Sequence, residues 1–190
     1  MRTAYIGMGG NLASWAGAPQ ATLAAAALRL ESLGRLICRS SLYSTAPVGF
    51  AAQPRFVNAV VAQETDLAPR ELLVGLLAIE KEFGRDRIVG FANGPRTLDL
   101  DILLFGDLEI SVPGLEIPHP RLAERAFVLI PLNEIASQVV IPGCAETVTQ
   151  LLDSQVLNTR SFGKLRAGSG APGLGSDAVV RLSYNAWDAR

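Results

Sequence analysis

Alternation of apolar and polar positions divides the chain into short strands separated by two amphipathic helices. Residues 4–8, Ala-Tyr-Ile-Gly-Met, predict a first strand that runs into the turn formers Gly9, Gly10 and Asn11. After Pro19, Leu23, Ala27 and Leu30 recur at helical spacing, so a helix is expected over 19–33 with Gly34 as its terminator. A second strand is expected over 36–44 and a third over 56–64. In the third, Phe56, Asn58 and Val60 fall on one face and Val57, Ala59 and Val61 on the other. Pro69 opens a second helix, Leu72, Leu76, Ile79 and Phe83 make its apolar stripe, and Gly84 ends it. The turn Gly94-Pro95 then delivers a fourth strand that stops at Gly106, with Asp99 and Asp101 on one face and Leu98, Leu100 and Ile102 on the other. Residues 107–117 predict a hairpin-like return. Residues 136–162 predict a closing strand and a short helix. The Gly- and Ser-rich stretch 167–176 predicts a linker, and 178–187 a short strand or a segment packed back on the body. The expected organisation is one domain over 1–165 with a linker and tail over 166–190.

Strand, helix, strand, strand, helix, strand is the order of a ferredoxin-like α+β domain, an antiparallel sheet with helices on one face. The 190 residues and 49% hydrophobic content suffice for one well-cored domain. A net charge of −1 removes the broad positive surface that nucleic acid or anionic lipid requires, so any anion site is local. It also speaks against an RNA-recognition domain of the same core order, as does the missing aromatic pattern. Cys38 and Cys144 have no metal-ligand spacing and are expected as buried small residues of a reduced, cytoplasmic protein, with a single disulfide left open. The N-terminus lacks a signal-peptide pattern, and no apolar run approaches membrane-spanning length, so a soluble protein is expected. The glycines after the first strand do not make a dinucleotide fingerprint, because Leu12 stands where the third glycine belongs.

The chemistry gathers around Asp99 and Asp101. On one strand face their Cα atoms lie roughly 6–7 Å apart, and two such carboxylates need a cation beside them. Mg²⁺ takes one or two protein carboxylates and completes its shell with water and phosphate oxygens. Arg96 offers a bidentate fork for phosphate, and the bland alternative is a solvated Arg-Asp surface pair. Phe56 and Asn58, two residues apart, suit a heterocycle that stacks on a ring and hydrogen-bonds to an amide; a core phenylalanine beside a turn-capping asparagine has the same pattern. The loop 45–54 is rich in turn formers whose backbone groups are free to meet a ligand, though an unliganded surface loop reads the same way. The glycine-bearing stretch 84–93, with Arg85 and Arg87, is a candidate lid.

The ten residues Gly94-Pro95-Arg96-Thr97-Leu98-Asp99-Leu100-Asp101-Ile102-Leu103 closely resemble the signature of the hydroxymethyl-dihydropterin pyrophosphokinases of folate biosynthesis. Pro118-His119-Pro120 with Arg125-Ala126-Phe127 resembles a second segment of that family, a Pro-His stretch, a short helix and an Arg-x-Phe. The resemblance spans about residues 3–165 and implies the ferredoxin-like fold with added C-terminal strands and helices. It also implies transfer of an intact diphosphoryl group from ATP to 6-hydroxymethyl-7,8-dihydropterin, releasing AMP. On it, Asp99 and Asp101 hold two Mg²⁺. Arg85, Arg87, Arg96, His119 and Arg125 surround the phosphates, with Arg85, Arg96, Asp99 and Asp101 catalytic and Glu80 at the nucleotide edge. Thr45, Ala46, Val48, Phe56, Asn58 and Phe127 hold the pterin. The partners are thus small molecules, not nucleic acid or membrane. Three positions depart from the family: Gly10 in a Gly-Ser-Asn corner, Asn93 where tryptophan is common, with Phe91 as its substitute plug, and Gly114 where one relative type has arginine. A metal-dependent phosphodiesterase and a non-catalytic nucleotide-binding module are the alternatives.

Overall fold

The pattern of β-leaning segments folds into one antiparallel sheet in the computed structural model, which describes residues 1–85, 87, 93–165, 179–182 and 187. In chain order the elements are β1 (Arg2–Gly10), α1 (Pro19–Leu30), β2 (Arg35–Arg39), β3 (Tyr43–Thr45), β4 (Phe56–Thr65), α2 (Pro69–Glu82) and β5 (Asp99–Phe105). They continue as β6 (Ile110–Val112), β7 (Leu115–Ile117), α3 (Ala126–Ala136), α4 (Val148–Leu165) and β8 (Val179–Arg181). The main sheet runs β5-β1-β4-β3-β8, with β2 also on β4, and β6 and β7 form a separate hairpin. This is the expected ferredoxin-like α+β arrangement, and the return over 107–117 is the expected hairpin.

Alternation along the central strands sets the two faces. Ala4, Ile6 and Met8 of β1 meet Val57, Ala59 and Val61 of β4 and Leu100 and Ile102 of β5 beneath α1 and α2, whose Leu23, Leu30, Leu72, Leu76 and Phe83 close that core. α2 starts at Pro69, with the Glu71 carboxylate accepting the Ala68 amide 2.7 Å away, which satisfies a donor at the helix start.

The opposite face carries a second core that the periodicity did not announce. Val60, Leu103 and Leu104 pack against Val128, Leu129 and Leu132 of α3 and Val148 at the start of α4. Helices therefore cover both faces, not one. α3 lacks a sequence signature because all but Asn133 and Glu134 of it is apolar and it contains Pro131, so it shows neither a clear 3.6-residue stripe nor an uninterrupted helix signal. It also replaces the expected short helix after Pro118: residues 120–124 are turns, and helix begins at Ala126.

The expected strand over 36–44 is two strands, because the pairing register with β4 shifts after Leu36 and differs again between Arg39↔Val61 and Tyr43↔Asn58. Ser40 spans the break: its amide donates to the Val60 carbonyl and its Oγ accepts the Val60 amide. No closing strand forms over 136–147, only a bridge between Val140 and Thr147, while α4 runs to 18 residues instead of a short helix. Cys38 is half-buried and Cys144 exposed, both free, so neither is the core residue expected and no disulfide joins them. Most of the expected lid, including Phe91, and the linker 167–176 lie outside the described residues. The tail does return, as β8 on β3.

Candidate active site

Register across the sheet brings the singled-out residues to one end of one face. Gly9 of β1 pairs with Asn58 of β4 on one side and with Asp99 of β5 on the other; Gly7 likewise lies between Val60 and Asp101. Asn58 and Asp99 thus stand about 9–10 Å apart, two strand spacings, with only glycine between them. Gly7 and Gly9 leave the floor open: a Cβ on Gly9 would come 2.8 Å from Asn58 Oδ1. α3 covers the far half of this face, and a cavity of about 360 Å³ occupies the rest.

The residues expected to hold the pterin line that cavity. Thr45, Ala46 and Val48 line it from the end of β3 and the loop that follows, Phe56 and Asn58 from β4, and Phe127 from α3. Asn58 is oriented by its Nδ2 donating to Thr45 Oγ1 at 2.7 Å. Each aromatic ring also meets a guanidinium, Arg96 at 5.1 Å from the Phe56 centroid and Arg125 at 5.6 Å from that of Phe127.

At the phosphate-side end, Arg96, Asp99, Asp101, His119 and Arg125 line the same cavity. Arg96 lies 3.3 Å, Arg85 3.4 Å and Arg87 4.0 Å from Asp99, so the three arginines converge on that carboxylate. Arg85 and Arg87 stand behind Asp99 and do not line the cavity. Arg85 Nε and Arg96 Nε are buried donors without hydrogen-bond partners among the described residues. Burial lowers the Arg85 and Arg125 pKa values, against the pull of Asp99 on the first and Asp101 on the second. His119 Nδ1 accepts the Arg121 amide at 3.1 Å, so the neutral ring carries its proton on Nε2, the nitrogen 4.0 Å from Asp101. Burial pushes the His119 pKa down and that of Asp101 up; Asp99 raises Asp101 further, while His119 and Arg125 oppose the rise.

Glu80 needs correcting as a nucleotide-edge contact. It is 1% exposed and faces neither solvent nor the cavity. Its Oε1 accepts the Leu100 amide at 2.8 Å, and both its oxygens accept from Arg87. Burial pushes its carboxyl up, and the Leu100 amide and Arg87 hold against that. Its place is structural support behind Asp99.

The sequence predicts a tight turn at Asn11, and the fold gives its side chain a wider role. Buried at the end of β1, it accepts the Arg96 amide through Oδ1 at 2.8 Å. Its Nδ2 donates to Gln53 Oε1 and the Pro54 carbonyl. Gln53 in turn donates to the carbonyls of Phe50 and Asn93. One amide pair therefore ties the loop 45–54 to the entry of the aspartate strand. The sequence signal was a polar pair, Asn11 and Gln53, in turn-forming stretches; what it lacked was their adjacency. The departures have local reasons. A Cβ on Gly10 would fall 2.3 Å from the Thr97 carbonyl oxygen, so glycine lets β1 and the 94–97 turn touch. Asn93 is left-handed at φ 60°, which asparagine tolerates. Gly114 is left-handed at the β6–β7 turn, with open space around it.

Asp99 and Asp101 face the cavity, but among the described residues no three His, Cys, Asp or Glu side chains are grouped so as to hold a metal ion, so they do not make an all-protein metal cage. They do suit an ion that takes phosphate oxygens and water for the rest of its shell.

The family model described as 7,8-dihydro-6-hydroxymethylpterin-pyrophosphokinase (HPPK) matches residues 5–137, which hold every residue assigned above. The chain belongs to the HPPK family. It is 47% identical over 140 residues to the 2-amino-4-hydroxy-6-hydroxymethyldihydropteridine pyrophosphokinase of Pseudomonas aeruginosa, covering 73% of this chain and 83% of that one. To the enzyme of the same name from Bacillus subtilis it is 45% identical, covering 72% and 79%. Among solved structures, wild-type HPPK-DHPS of Plasmodium falciparum with pteroate superposes at a TM-score of 0.71 and 15% identity, covering 95% of this chain and 47% of that one, a likeness of fold. This chain thus spans about half the length of that solved chain. As an HPPK the chain is an enzyme, a pyrophosphokinase of folate biosynthesis with ATP as cosubstrate, and its substrates are small molecules. Membership favours this activity over the phosphodiesterase and the non-catalytic module. Among the described residues no helix is long and apolar enough to cross a membrane.

Proposed function

We propose that the two ends of the cavity divide the substrates, the reduced pterin at the Asn58 end and the ATP phosphates at the Asp99 end. The row Asn58-Gly9-Asp99 carries this reading, because it sets a ring-and-amide site and a carboxylate site about two strands apart on an open floor. Phe56 and Phe127 take the two faces of the pterin, Asn58 its polar edge, and the backbone of Thr45, Ala46 and Val48 its rim. Arg85, Arg87, Arg96, His119 and Arg125 balance the phosphate charge, with Glu80 acting through Arg87 and Leu100.

Asp99 and Asp101 would hold two Mg²⁺, which would supply neutralisation of the phosphate charge. The pterin hydroxymethyl oxygen attacks the β-phosphorus as the bond between that phosphorus and the α,β-bridging oxygen breaks. The hydroxyl proton is released, and AMP departs with the bridging oxygen. Arginines aimed at the phosphates and a pterin fixed by stacking provide positioning and electrostatics, which is most of what phosphoryl transfer asks of a protein. Residues 1–165 form the catalytic domain and 166–190 an appended linker and tail. We place the reaction in the cytoplasm, where ATP is available and free thiols such as Cys38 and Cys144 stay reduced.

AMP release is the test. With ATP and Mg²⁺, AMP is expected only when 6-hydroxymethyl-7,8-dihydropterin is present; AMP formed equally without it would refute the assignment.

A further inference from the structure

We propose that the C-terminal tail is a working part of the pterin site. β8, docked on β3, makes Val179 a specificity-determining wall of the cavity, and it braces Thr45. The inference rests on the pterin reading above and goes beyond it, because residues 179–187 lie outside the family-matched region 5–137.

β3 is only three residues long, and β4 pairs with one of its edges. β8 takes the other, in the register Tyr43↔Arg181, Ser44↔Val180 and Thr45↔Val179, and the Leu182 amide extends the pairing to the Leu42 carbonyl at 2.8 Å. That register sets Val179 beside Thr45, and both line the cavity. A β-branched side chain there is rigid at χ1, which suits the edge of a flat heterocycle. Thr45 carries the effect inward, since its Oγ1 accepts the Asn58 amide that is to read the pterin.

The dock has its own fastening. Arg181 reaches Glu134 of α3 at 2.9 Å and Ser41 Oγ at 2.8 Å. The Glu134 carboxylate also accepts from the Ser41 amide, the Ser41 hydroxyl and the Tyr43 hydroxyl, so tail, β3 and α3 meet on one carboxylate. Further along, Trp187 Nε1 donates to the Ser40 carbonyl at 2.9 Å, and the Arg39 guanidinium lies 5.0 Å from its ring. These contacts bridge the break between β2 and β3, where β4 alone leaves the edge short. Among the described residues nothing in this fastening touches Asp99, Asp101 or their arginines, so the tail acts on one substrate and not the other.

The test uses the full chain and measures two affinities separately, that of 6-hydroxymethylpterin and that of a non-hydrolysable ATP analogue with Mg²⁺. Val179→Ala keeps the strand and opens the wall; Arg181→Ala, at an exposed position, loosens the dock without disturbing the core. Each should weaken pterin binding about 3- to 10-fold and leave the ATP analogue within about 2-fold, as expected for one wall contact or an exposed ion pair. Arg181→Lys should recover part of the loss by keeping the charge toward Glu134. Unchanged pterin affinity in both alanine variants, or equal losses for both ligands, overturns the proposal. A wild-type chain that binds the ATP analogue but not the pterin overturns the pterin reading, and this inference with it.

Discussion

Asp101 concentrates the electrostatic problem of the site in one side chain. Burial and then the neighbouring Asp99 make its charge costly and push its pKa up, while His119 and Arg125 oppose the rise, so a further cation beside it would relieve that cost. Asp101→Ala is expected to lower kcat by about 10²- to 10³-fold or more, as loss of a charge-organising group does. Pterin affinity, governed by the other end of the cavity, should stay within a few-fold; AMP release and calorimetric titration check the two separately. Unchanged turnover would sink the metal assignment. Gly10 shows the opposite kind of dependence, on having no side chain. With the Thr97 carbonyl oxygen 2.3 Å from where a Cβ would stand, Gly10→Ala must push the 94–97 turn away from β1. It should cost about 2 kcal/mol or more of stability, readable by thermal or denaturant unfolding.

At the scale of elements, the site is a junction of strand ends held by polar ties. Asn11 fastens three of them, the end of β1, the turn before β5 and the loop before β4. Asn11→Ala would leave the part-buried Arg96 amide and the Pro54 carbonyl short of a protein partner, for a loss of about 1–2 kcal/mol. Because the same loop carries the Thr45–Val48 rim, pterin binding should weaken together with stability. A variant destabilised to that extent whose pterin affinity is unchanged would show that the loop holds its place without Asn11. The two glycines on the floor of β1 and the short β3 belong to the same logic. Strand ends near a ligand trade packing for access, and neighbouring loops restore the order.

For the molecule as a whole, Glu134 links the catalytic face to the tail. Burial alone would raise its pKa, but the Ser41 hydroxyl and amide, then Tyr43 and Arg181, hold it below its ordinary 4.5. A depressed carboxylate contributes stability that is present above pH 4.5 and lost as pH falls through its lower folded-state value. The stability advantage of the wild type over Glu134→Gln should therefore be complete near pH 7 and shrink as the pH falls below 4.5, as urea unfolding at each pH would show. An advantage independent of pH would mean that the charge is not what matters. Tyr43, which donates to Glu134, is pushed up to about 12 by burial and that hydrogen bond, so its hydroxyl stays protonated in the same range.

The sequence alone determined the elements with a clean period and the chemistry with a contiguous signature. The stripe of Leu72, Leu76, Ile79 and Phe83 became α2, and the alternation around Asp99 and Asp101 became β5, because both depend on neighbours along the chain. Tertiary structure decided what depends on neighbours across space. It placed Asn58, Gly9 and Asp99 in one row, turned Glu80 into a buried brace and joined Asn11 to Gln53. It made a helix of the apolar, proline-containing α3 and carried Val179 to a cavity built largely by the first 130 residues. Register and burial are properties of packed pairs, and a one-dimensional pattern records only one member of each pair.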